Sequence, residues 1–184
     1  MNVPAPLATA NTVLVAIDFQ ERLFPVMHDK DKLLQNVVKL IKGARVLEIP
    51  VILTEQYPKG LGPTLPEIKV LLPDVKAIEK VCFSCCDNEA FVHSLEALKR
   101  KQVLIAGIEA HICVYQTAVA LARAGYEVQV VSDCISSREL ENKTVALFRM
   151  GAAGISPTST EMALFELLRV AQGDKFKQIS SIVK

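Results

Sequence analysis

Cys113 stands at the end of the run Val103-Leu104-Ile105-Ala106-Gly107-Ile108-Glu109-Ala110-His111-Ile112-Cys113. A short apolar stretch reaches a glycine, a turn follows, and the cysteine opens a segment with helical apolar spacing at Ala118, Leu121 and Ala122. A thiol at a helix start faces unpaired N–H groups and the positive end of the helix dipole. Both favour thiolate, the nucleophilic form. Two other residues supply what a thiol nucleophile needs. Asp18 closes the apolar run Leu14-Val15-Ala16-Ile17, and Lys80 closes Ala77-Ile78-Glu79. Asp18 fits a general base, Lys80 a cation that lowers the thiol pKa and holds the carboxylate, and Cys113 the attacking group. N–H groups of the turn from Gly107 to Cys113 could bind the oxyanion. Each residue also has a plain structural reading: a turn-forming aspartate, a lysine snorkelling to solvent, a small core cysteine. The three together make better physical sense than any one, because a buried Lys or Asp needs a partner.

The elements that would position them alternate along the chain. Strands are expected over residues 12–18, 51–54, 77–80, 103–106, 127–132 and 153–156, short and rich in Val and Ile as buried parallel strands are. Helices are expected over 30–47, 87–99, 113–124, 138–150 and 159–171. In the first of these, Leu33, Val37, Leu40, Ile41 and Ala44 share one face. Ser136 or Ser137 is placed to cap the fourth, and Gly125 to end the third. Repeated βα units imply a doubly wound α/β sheet with helices on both faces. Ligands in such sheets sit at the carboxyl ends of the strands, where Asp18, Lys80 and Cys113 fall. Residues 56–66 hold Tyr57, Pro58, Gly60, Gly62, Pro63 and Pro66, a loop at a strand end where binding loops occur. Residues 1–11 are expected to be a loose arm, and 12–184 a single domain.

The 184 residues suffice for one domain with a real core, and 51% hydrophobic content fits a sheet covered on both faces and a subunit interface. Net charge is +1, with both signs interspersed. Nucleic acid is therefore not expected as a main partner. The first basic residue is Arg22, later than a secretory or transit leader needs, and the run Val13 to Ile17 is too short to span a bilayer. A cytoplasmic protein with reduced thiols is expected, its five cysteines being an odd number.

Other motifs point elsewhere. Cys82-Phe83-Ser84-Cys85 is a CxxC, which raises a thioredoxin-like redox role, although its spacer lacks Gly-Pro. Cys86 adds a thiol, yet no second ligand pair with zinc spacing follows. His28, His93 and His111 show no metal-binding spacing, and His111, two residues before Cys113, reads as pocket-lining or exposed rather than as a dyad partner. Asp133 ends a strand and is expected to bond nearby backbone or Arg138. No dinucleotide or Walker motif is present.

The motifs together resemble the isochorismatase-like hydrolases, the cysteine hydrolase superfamily that includes nicotinamidases and N-carbamoylsarcosine amidase. The resemblance is carried by Ala16-Ile17-Asp18-Phe19-Gln20 with Phe24, by Thr54-Glu55-Gln56-Tyr57-Pro58, by Glu79-Lys80 with Phe83-Ser84, by Gly107 to Val114, and by Ser132-Asp133 with Ser136-Ser137-Arg138. It covers nearly the whole chain in order. It implies a three-layer, Rossmann-like fold with a six-stranded parallel sheet of order 3-2-1-4-5-6. It implies a catalytic triad of Asp18, Lys80 and Cys113 and a covalent thioester-type intermediate. It further implies a non-proline cis peptide at Ile108–Glu109 and an oxyanion hole from the N–H groups of Glu109 and Cys113.

Two departures from family patterns narrow the expected chemistry. Nicotinamidases place an Asp and histidines after the second strand to hold a metal; here Glu55-Gln56-Tyr57-Pro58-Lys59-Gly60-Leu61-Gly62 has no histidine, so no metal and no cofactor is expected. Vinyl-ether-cleaving isochorismatases commonly lack the cysteine, and Cys113 is present. The segment from Thr54 to Gly62 is most similar to the isochorismatase domain-containing proteins. The expectation is a cysteine hydrolase of a small amide, carbamoyl or related acyl compound, acting on C–N bonds. Its pocket is expected to be lined by Phe19, Phe24, Glu55, Tyr57 and Phe83. A homo-oligomer, a dimer, tetramer or larger, is expected. The alternatives are a non-enzymatic oligomeric scaffold and the redox role for Cys82 and Cys85.

Overall fold

A computed structural model describes residues 5–184. β1 (Thr12–Ile17) is apolar along its whole length and every residue of it is buried, the pattern of a central strand covered on both faces. β2 (Val51–Gln56) and β3 (Ile78–Lys80) pair beyond one of its edges. β4 (Gln102–Ile108), β5 (Glu127–Ser136) and β6 (Ser156–Thr158) extend from the other. All pairings are parallel and the order is β3-β2-β1-β4-β5-β6, as the resemblance implies.

Alternation along β1 divides the core. Leu14 and Ala16 face α1 (Lys30–Val46), and later in the chain α7 (Thr160–Leu168) and α8 (Gly173–Val183) join that layer. Val13, Val15 and Ile17 face the opposite layer, built from α4 (Glu89–Ala97), α5 (Tyr115–Arg123) and α6 (Leu140–Ala152). Two short helices, α2 (Pro58–Leu61) and α3 (Pro66–Lys69), begin with proline at their first turn, where its missing N–H is no loss.

The structure departs from the sequence expectations in several places. β5 runs to Ser136 and β6 begins at Ser156. α6 is capped by neither Ser136 nor Ser137, since its N-cap is Glu139 without a side-chain bond. Gly125 does follow α5, with φ +83°. α8 was not expected at all. Of the arm expected at 1–11, residues 1–4 lie outside the described residues, and the rest is docked rather than loose. Leu7 is buried, its N–H donates to Glu166 and its carbonyl accepts from Arg169, while the Ala8 N–H donates to Gln102.

Candidate active site

β1 and β4 are adjacent, but the chain leaves them toward opposite helix layers, α1 after β1 and α5 after β4. The crevice at their carboxyl ends is the topological switch point of the sheet. Asp18 is the first residue beyond β1 and adopts a left-handed backbone, φ 57°, with its N–H on the Thr54 carbonyl. Lys80 ends β3 in register with Gln56 on β2. Its side chain passes β2 to place Nζ 2.6 Å from Asp18 Oδ2, and both side chains are wholly buried. Cys113 lies in a π-helical turn, Ala110–Val114, between β4 and α5. Its thiol lies in the fields of the Asp18 and Lys80 side chains. The structure thus brings the three sequence-selected residues to one point.

Close packing at Gly107 makes this possible. A Cβ there would lie 2.5 Å from Ile17 Cβ and 2.7 Å from the Ile17 carbonyl oxygen, so only glycine lets β4 approach β1 beside Asp18. The Ile108–Glu109 peptide that follows is cis. The Glu109 carbonyl then accepts from the N–H groups of Ile112 and Val114, leaving the intervening Cys113 N–H out of that set.

The electrostatics correct one expectation. Burial, reinforced by the Asp18 charge, pushes the Cys113 thiol up to about 12, and Lys80 offsets this only in part. At rest Cys113 is a thiol, and the π turn places it inside the helix start instead of at an α-helical first turn. Burial works against the Lys80 ammonium, but the charge of Asp18 beside it outweighs this, so its pKa is raised. The raised Lys80 pKa keeps this lysine cationic against the buried Asp18 side chain.

The expected pocket residues separate. Phe19 is fully buried in the core against Phe24, ring centroids 6.3 Å apart, so Phe19 and the buried Phe24 are packing residues. The Glu55 carboxylate accepts the N–H and hydroxyl of Thr64 at 2.7 and 2.6 Å and so staples the loop after β2. Tyr57 and Phe83 are more than half exposed. The Tyr57 N–H donates to the Lys80 carbonyl and the Phe83 carbonyl accepts from Lys80 Nζ, so the backbones of both residues are held beside Lys80.

The remaining candidates take structural partners. Asp133 accepts from the N–H and hydroxyl of Thr160. Arg138 instead pairs with the buried Glu109 at 3.1 Å. His111 Nδ1 lies 2.9 Å from the Ser137 hydroxyl, which leaves the dyad reading without a contact. All five cysteines are free. Within the CxxC, Cys85 is fully buried and burial pushes it up to about 12, the reverse of a reactive redox thiol. Among the described residues no three His, Cys, Asp or Glu side chains converge as a metal set.

Sequence reasoning missed the residues that hold the ion pair. Thr54 Oγ1 donates to Asp18 Oδ1 at 2.7 Å, and Lys80 Nζ donates to Gln56 Oε1 at 2.7 Å. The buried Gln20 clasps the backbone of Gln56 from both sides, its oxygen accepting the Gln56 N–H and its amide donating to the Gln56 carbonyl. The pairing of β1, β2 and β3 creates these contacts, and its only sequence trace is a cluster of polar residues at strand ends.

A parallel doubly wound sheet with a buried Asp–Lys pair and a thiol at its switch point is a three-layer, Rossmann-like α/β architecture with its candidate site at the carboxyl ends of the strands. The model of the isochorismatase domain matches residues 12–162, and the chain belongs to that family. It is 37% identical over 178 residues to isochorismatase domain-containing protein 2 of Danio rerio, covering 96% of this chain and 89% of that one. Among solved structures, the MAR1 ribonuclease of Caenorhabditis elegans superposes with a TM-score of 0.92 at 34% identity, covering 97% of this chain and 92% of that one. The YcaC gene product of Escherichia coli, described as an octameric hydrolase of unknown specificity, superposes at 0.94 with 28% identity, covering 99% and 91%.

Proposed function

We propose that this member of a hydrolase family cleaves a small amide, carbamoyl or related acyl compound through a covalent intermediate on Cys113. The buried Asp18–Lys80 ion pair at 2.6 Å beside the Cys113 thiol carries this reading. Removing two charges from water is costly, and a scaffold protein gains nothing from it. In the proposed reaction Sγ attacks the carbonyl carbon while its proton moves to Asp18. The N–H groups of Glu109 and Cys113 stabilise the oxyanion. The C–N bond breaks as the leaving amine takes the proton from Asp18. Water then attacks the thioester, again losing a proton to Asp18, and the acid leaves as the thiol is restored. Lys80 holds Asp18 in place throughout. Tyr57 and Phe83, anchored to Lys80, wall the substrate.

The five free thiols support a reducing, cytoplasmic setting, and among the described residues no helix is long and apolar enough to cross a membrane. A homo-oligomer is supported by the octameric relative and by exposed Leu140, Val145 and Phe148 on α6. RNA as substrate has support from the names of relatives described as MAR1 ribonucleases, that of C. elegans and those of two Leishmania species.

The test is a screen of small amides, carbamoyl compounds and short RNA, with mass spectrometry of Cys113. Cys113→Ala is expected to fold normally and lose all turnover of whichever compound the wild type cleaves. Full activity in that variant sinks the reading.

A further inference from the structure

We propose that Gln56 is a positioning residue for the cysteine chemistry, its side-chain oxygen keeping the Lys80 ammonium in place while Asp18 is transiently neutral. The proposal rests on Cys113 being the nucleophile. An ammonium has three N–H donors. One goes to Asp18 at 2.6 Å, one to Gln56 Oε1 at 2.7 Å, and the last is shared by the carbonyls of Cys82 at 3.3 Å and Phe83 at 3.4 Å. No donor is left for substrate or sulfur, so Lys80 acts through its charge and position alone.

That charge is most exposed to loss during attack. When the Cys113 proton arrives on Asp18, the carboxylate becomes a neutral acid and Lys80 loses its nearest counter-ion while wholly buried. A buried ammonium without good acceptors is driven to shed its proton. The new thiolate and thioester adduct, in turn, need the cation. Gln56 supplies the shortest neutral acceptor among those that remain. Its orientation is fixed: Nε2 donates to the Val81 carbonyl at 2.8 Å, which assigns Oε1 to Lys80, and Gln20 clamps its backbone.

The titratable groups facing Lys80 are Asp18, Cys113 and Cys85, and its neutral acceptors are Gln56 Oε1 and the carbonyls of Cys82 and Phe83. A role confined to bracing the loop after β2 would be indifferent to Lys80. A role on the ammonium requires it.

The experiment measures the rate at which iodoacetamide alkylates Cys113 at neutral pH, read by peptide mass spectrometry with Cys82 as internal reference. The S–C bond forms, iodide leaves, and the thiol proton passes through Asp18 to solvent. Gln56→Met is expected to slow labelling of Cys113 by about tenfold or more, with Cys82 unchanged. On a Lys80→Met background the same substitution is expected to change the rate by less than about twofold. Gln56→Glu keeps an oxygen on Lys80 and is expected to recover the rate to within about threefold of wild type. If Lys80→Met does not fold, the contrast between Gln56→Met and Gln56→Glu decides. Equal losses in both backgrounds, wild-type labelling in Gln56→Met, or a Gln56→Glu variant as slow as Gln56→Met overturns the proposal. Wild-type Cys113 that stays unlabelled while Cys82 reacts overturns the nucleophile reading, and this one with it.

Discussion

Cys113 carries its proton at rest because burial and the neighbouring carboxylate outweigh Lys80, and this has a consequence for stability. The Cys85 and Cys113 thiols are pushed up to about 12 and Cys86 to about 11, all chiefly by burial. In the unfolded chain such thiols ionise near pH ~8.5. Above that pH the unfolded state binds fewer protons than the native state, so stability falls as pH rises toward the folded values. The raised Lys80 pKa acts in the same direction. The urea midpoint should therefore be lower at about pH 10.5 than at about pH 8, by more than in a variant with Cys85 replaced by Ala; a flat profile contradicts the burial of these groups. Lys80→Met should be harsher at neutral pH. It strands the buried Asp18 charge, a loss of about 3–5 kcal/mol that denaturant unfolding would register. Asp18, Lys80 and Cys113 could be picked out in the sequence because each ends a strand or follows one. The roles of Thr54 and Gln56 at the ion pair could not, because the contacts that give them meaning cross from strand to strand.

At the scale of elements, the approach of β4 to β1 decides the site. Gly107→Ala would drive a Cβ to 2.5 Å from Ile17 Cβ, one residue from Asp18. Backbone would have to move, at a cost of about 1–3 kcal/mol, and the Cys113 turn would move with it. The expected result is a lower melting temperature together with slower alkylation of Cys113; normal labelling would show that the turn tolerates the shift. The order of strands was readable because apolar runs alternate with amphipathic helices and the family motifs follow in sequence. The π turn over Ala110–Val114 was not. Its Ala-His-Ile-Cys-Val composition suits an α-helix equally, and the wider turn arises where the chain leaves the tightly packed β4 for α5. Likewise β5 reads as ending at Ser132, since Asp133 and Ser136 are polar; the sheet continues because Asp133 is bonded to Thr160 and Ser136 to the His28 carbonyl.

At the scale of the whole molecule, the two core layers are closed but the surface is not uniformly polar. On α6, Leu140, Val145 and Phe148 are 47%, 55% and 78% exposed. At 100° per residue they lie within one side of the helix, opposite the buried Ala146 and Met150. Scattered exposed apolar residues need no explanation, but three on one helix side form a patch of the kind that subunit interfaces cover. Nothing in the linear pattern distinguishes this face from a core face, because the high apolar content serves both. Light scattering should give a mass above that of one chain. Phe148→Glu, which places a charge in the centre of the patch, should shift the population toward smaller species and leave the circular dichroism spectrum unchanged. A wild-type protein that runs as a monomer at micromolar concentration, or an assembly indifferent to Phe148→Glu, would move the interface to another surface. Because α6 packs against the turn that carries Cys113, the same variant also reports on assembly and chemistry together. Alkylation of Cys113 that slows in parallel with dissociation would make the subunit contact part of what holds Cys113 in place.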